Sequence, residues 1–145
     1  MAKPPPRLWL QVRTHAVALI SLVVAVSTLG YTTWRNERTE DNRNTRVAAF
    51  EVLKSLGEMQ FLVNRMHYGE KPDRTEPLRA WGYVALVTDL SAILPEPVPP
   101  AAERLRAVWS AEWQAVPREE AATERVSAAI DASREAVLIV LRRLR

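Results

Sequence analysis

With 145 residues the chain has material for one modest domain. It has no cysteine, which excludes disulfides and thiolate metal sites, and its two histidines, His15 and His67, lie too far apart to suggest a zinc site within one copy. The net charge of +3 is unevenly placed: Lys3, Arg7, Arg13 and Arg35 occupy the first 35 residues without an acid, while the other sixteen bases face all 17 acids beyond them. A nucleic-acid binder concentrates its basic residues on a folded face; here they flank an apolar segment, the pattern of membrane topology. Neither nucleic acid nor metal is expected as a partner.

Residues 1–13 read as a basic, Pro-rich tail. Residues 14–34, THAVALISLVVAVSTLGYTTW, hold no charge and predict a transmembrane helix, since about 20 largely apolar residues cross the hydrocarbon. Trp9 on one side and Tyr31 and Trp34 on the other stand where amphipathic rings settle at headgroups. Ala25-Val26-Ser27 also suits a cleaved leader, but the uncharged stretch runs past it to Trp34, long for a leader core. Thr14, Ala18, Ser21, Ala25, Thr28 and Thr32, spaced 4-3-4-3-4, form a small-residue face of the kind membrane helices pack through. The same hydroxyls also suit bonds to their own i−4 carbonyls, which needs no partner. The purely basic start argues for a cytoplasmic N-terminus and a periplasmic domain.

Residues 35–46 predict a polar helical neck, and 47–145 a helical bundle domain. Ala49, Val52, Leu56, Met59, Val63 and Met66 recur at 3-4 spacing, with Phe50, Leu53 and Leu62 widening the stripe, until Gly69 and Pro72 stop the helix. A second helix is expected from Pro77, with Thr75 as N-cap and Tyr83, Leu86, Leu90 and Ile93 as its apolar stripe. Residues 95–100, PEPVPP, predict an extended loop. A third helix, about 101–116, shows Leu105, Val108, Trp109 and Trp113; Pro117 opens a fourth with Val126, Ile130, Ser133, Val137, Val140 and Leu144. The expected fold class is all-α: one N-terminal transmembrane helix continuing into an up-down bundle of about four helices. The lengths predict a bundle that is four-stranded at one end and thins to its first and last helices at the other. There Val137, Leu138, Ile139 and Leu141, with Arg142, Arg143 and Arg145, would be offered to a partner or to lipid.

No G-x-S-x-G, P-loop, G-x-G-x-x-G or H-E-x-x-H is present. His67, near Glu70 and Asp73, reads as a helix-end residue rather than an acid–base group. Residues 7–20 superficially resemble a light-harvesting polypeptide, yet His15 lies at the membrane edge, shallower than a pigment ligand. No cofactor is expected. Residues 30–69, GYTTWRNERTEDNRNTRVAAFEVLKSLGEMQFLVNRMHYG, resemble small uncharacterised single-pass inner-membrane proteins of proteobacteria, a likeness over most of the chain that implies a bacterial inner membrane and no assigned activity. The expectation is a non-catalytic accessory subunit that binds a larger integral membrane complex, or its own copies. The alternative is a periplasmic ligand-sensing bundle that signals through a partner.

Overall fold

A computed structural model describes residues 7–69, 73 and 75–144, with side chains given except at 7–14, 17, 19, 32, 33 and 36–39. All regular structure among them is helical: α1 (Arg7–Tyr68), α2 (Glu76–Ser91), α3 (Val98–Glu112) and α4 (Glu120–Arg143). The chain divides into two units, Met1–Asp41 and Asn42–Arg145, and α1 contributes to both.

Unit Asn42–Arg145 is the helical bundle. Its α1 segment buries Ala49, Val52, Leu56, Met59, Val63 and Met66 on one face, the stripe expected from the 3-4 spacing. Each fully buried large apolar side chain contributes roughly 1.5–3 kcal/mol. α1 ends just before Gly69, whose N–H still donates to Arg65 O at 2.9 Å and where a Cβ would collide with that oxygen, so the position takes glycine. α2 starts at Glu76 with a proline in its first turn, where the missing N–H is an orphan anyway. Thr75 occupies the N-cap without donating or accepting a side-chain cap bond. Its N–H and hydroxyl are both turned to Asp73 Oδ1, at 2.9 and 2.8 Å.

Cross-helix contacts fix the direction of each element. The Arg65 guanidinium at the end of α1 pairs with the Glu76 carboxylate at the start of α2. Trp81 of α2 meets Trp109 of α3 edge-to-face, ring centroids 6.2 Å apart. His67 Nδ1 lies 2.9 Å from the Val116 carbonyl, and Thr123 at the start of α4 reaches the same oxygen at 3.2 Å. Lower down, Ser133 Oγ reaches Ala101 O at 3.2 Å, and Gln60 Nε2 donates to Ser127 Oγ at 2.9 Å. Successive helices therefore run antiparallel around one core, with Leu105, Trp109, Val126, Ile130 and Val137 facing the α1 stripe.

Three expectations are corrected. Residues 95–100 are not all extended: α3 begins at Val98, so Pro99 and Pro100 sit in its first turn, where lost donors break no intrahelical bond. The bundle does not thin to α1 and α4: Arg143 donates to Glu96 O at 3.4 Å, so the α2–α3 turn stands level with the end of α4. The stripe expected to bury α2 is met only in part, since Tyr83 and Leu90 pack against the core and Leu86 and Ile93 do not. Ala80, Val84, Val87 and Ser91 point inward, while Leu86 and Ile93 are exposed and Tyr83 and Leu90 half-buried.

Glu76 is buried, yet its partner Arg65 is partly exposed. Arg65→Met leaves that carboxylate with its helix N-terminus alone. It is expected to destabilise the bundle by about 1–3 kcal/mol, read as a fall in urea midpoint at unchanged slope.

Candidate functional site: the exposed apolar stretch of the first helix

In unit Met1–Asp41 the side chains of Ile20, Leu22, Val23, Val24, Val26 and Leu29 are all exposed, between 58% and 69%. At about 100° per residue these positions surround the helix rather than line one face. A helix apolar all round is a buried helix or a membrane span, and nothing among the described residues of this unit covers it. Among the described residues no helix is long and apolar enough to cross a membrane. The expectation for 14–34 is therefore met in its helicity and not in its span.

The expected small-residue face is placed in part. Ala18, Ser21, Ala25 and Thr28 are exposed; the side chains of Thr14 and Thr32 lie outside the described ones. Thr28 Oγ1 donates to Val24 O at 2.8 Å, the i−4 bond that satisfies a hydroxyl within its own helix. At the edge, the Tyr31 and Trp34 rings stand 6.4 Å apart and tilted, both exposed, while Trp9 lies outside the described side chains.

The second expected surface, at the end of α4, is mostly consumed by the fold. Val137 is fully buried with Ala136 and Val140, and Leu138, Ile139 and Leu141 are half-buried. The reason is the lowered α2–α3 turn. Arg142 pairs with Glu135 and Arg143 with the Glu96 carbonyl; Arg145 lies outside the described residues. Arg46 donates to Leu144 O, tying α1 to this end.

His15 is exposed. His67 is held by Val116 O, so its Nδ1 carries the proton, and its ring meets Tyr68 edge-on at 4.5 Å. Among the described residues no group of three or more His, Asp or Glu is placed to hold a metal. Trp81, Trp109 and Trp113 belong to the core or its margin.

No family model, curated protein or solved structure matches this chain.

Among the described residues two carboxylates are perturbed, and both sit at helix junctions. The Thr75 backbone N–H, then its hydroxyl, hold Asp73 below its ordinary 3.8, with Arg65 and Arg79 adding to this. The Arg125 guanidinium, bonding Glu112 twice at 2.8 Å, holds that carboxyl below 4.5 and is itself pushed up. Depressed folded pKa values add stability above the unfolded values, and this is lost as pH falls through 4.5 and 3.8 towards the folded ones. The melting temperature is expected to fall across that acidic window. In the double variant Asp73→Asn, Glu112→Gln it starts lower at neutral pH and falls less steeply.

The surface that sequence reasoning missed is the outward face of α2. Its signal is Leu86 and Ile93, apolar residues of the expected core stripe that stand exposed while Leu90 packs against the core.

Proposed function

We propose that this chain is a membrane-anchored, non-catalytic accessory subunit, held in a bacterial inner membrane by residues 14–34 and presenting its helical bundle to a larger membrane complex or to its own copies. The observation that carries the reading is the all-round exposure of Ile20, Leu22, Val23, Val24, Val26 and Leu29. Water does not tolerate a contiguous apolar surface of that kind without a partner or a bilayer. The sequence supports it further: the uncharged run extends to both sides of the exposed residues, giving about 31 Å of helix over 14–34. The basic tail that precedes it favours a cytoplasmic N-terminus, with the bundle in the periplasm.

The test is purification of the tagged full-length chain from membranes in mild detergent, with mass spectrometry of what accompanies it. A stoichiometric membrane protein, or a homo-oligomer, supports the reading. A chain found in the soluble fraction without detergent overturns it.

A further inference from the structure

The outward face of α2 has a pattern that complements itself. Thr75, Arg79, Gly82, Leu86, Asp89 and Ile93 recur at 4-3-4-3-4 spacing and all are exposed. That spacing reads the same in both directions. An antiparallel copy of the helix therefore sets Arg79 against Asp89 and Gly82 against Leu86, and each pair occurs twice about a two-fold axis.

The pairs match in charge and in size. Glu76 is buried, so Arg79 and Asp89 are the exposed charges of α2; among the described residues neither forms a salt bridge, and the Arg79 charge acts at longer range on Asp73. At Gly82 the missing side chain leaves a surface depression lined by Arg79, Tyr83 and Leu86. A Cβ built there meets nothing within 4 Å. Leu86, 42% exposed, is the residue the antiparallel copy brings to that depression. A parallel pairing in register would instead oppose Arg79 to Arg79 and Asp89 to Asp89.

We infer that α2 is a self-association surface whose occupant is a second copy of this chain, paired antiparallel through Arg79–Asp89 and Gly82–Leu86. The inference goes beyond the proposed function: antiparallel α2 helices also set the α1 segments of the two bundles antiparallel, so this pair is not one of copies anchored side by side in one bilayer. One helix pair buries less than the ~1,200 Å² of a standard stable interface, so the dimer is weak and concentration-dependent.

Sedimentation equilibrium of the full chain in mild detergent, which leaves the direction of each anchor unconstrained, tests it. The expected result is a reversible monomer–dimer equilibrium that Arg79→Asp or Asp89→Arg weakens about tenfold or more, because like charges then oppose each other twice. The double variant Arg79→Asp, Asp89→Arg restores the dimer. Gly82→Trp, for which the bundle has room, fills the depression and weakens the dimer while circular dichroism stays unchanged. A chain that is monomeric at every concentration overturns the inference, as does a dimer indifferent to all of these substitutions. A monomer that arrives with a stoichiometric membrane protein overturns the α2 pairing and leaves the accessory-subunit reading standing. A dimer sensitive to Arg79→Asp that is found in the soluble fraction does the reverse.

Discussion

Replacing Val24 by arginine is expected to release the chain from membranes, while Val24→Leu leaves it there. Val24 stands at the midpoint of the uncharged run 14–34, and its side chain is exposed in its own unit, so the substitution disturbs no packing. Thr28 bonds the Val24 carbonyl, which any residue supplies. What changes is the transfer term. Arginine at the centre of a membrane helix costs about 2.5–3.5 kcal/mol on insertion scales, while leucine gains a few tenths. That cost shifts the insertion equilibrium by about a hundredfold, and the run has no Leu-rich surplus to absorb it: Ser21, Ser27, Thr28 and Gly30 already weaken it. Carbonate extraction of membranes followed by blotting reads the effect directly. If Val24→Arg stays in the carbonate-resistant pellet as the parent does, residues 14–34 are not the anchor. The fold of the bundle serves as control, because none of its described core residues lies in this stretch.

How much of the molecule was legible in the sequence depended on where the large side chains point. α1, α3 and α4 bury residues at 3-4 spacing that are mostly large, such as Leu56, Met59, Leu105, Trp109, Val126 and Ile130, so periodicity and core coincide. In α2 they do not coincide. Its fully buried face is Ala80, Val84 and Val87 with the polar Glu76 and Ser91; Trp81, Tyr83 and Leu90 pack half-buried at the core margin, and Leu78 and Leu86 face out, as does Ile93 beyond its end. A periodicity argument assumes that the more apolar face is the buried one, and it fails where a second apolar face is left on the surface. The same inversion makes α2 the candidate interface. The start of α3 was illegible for another reason: prolines break a helix interior but are neutral in its first turn, and spacing alone does not say which of the two Pro99–Pro100 meets. The taper expected near the end of α4 rested on those boundaries; α3 starts three residues earlier than expected, and Val137 and Val140 are buried there. At the N-terminal stretch, sequence carried the apolar length and the aromatic edges. Whether a bilayer or a protein covers it follows from neither the helix nor its exposure.

Trp109→Ala is expected to be the most destabilising single substitution in the bundle, at about 3–5 kcal/mol, while Trp109→Phe costs much less. Trp109 is the largest fully buried side chain, with no exposed surface. It sits where α2 and α3 meet, edge-on to Trp81. Truncation to alanine removes the contact area of an indole from a site walled by helices that already pack closely, so collapse fills little of the cavity. The loss approaches the whole stability of a small domain, about 5–15 kcal/mol. Phenylalanine tests a separate feature. The Trp109 Nε1 is buried without an acceptor, and an unsatisfied buried donor costs about 1–3 kcal/mol. The phenyl ring removes that donor and keeps an aromatic edge for Trp81, and these gains offset part of the volume lost. Urea titration followed by circular dichroism separates the two cases. A Trp109→Phe variant as unstable as Trp109→Ala would mean that the indole nitrogen is satisfied in solution, by a buried water or a carbonyl that moves to it, and that its hydrogen bond helps to hold α2 against α3.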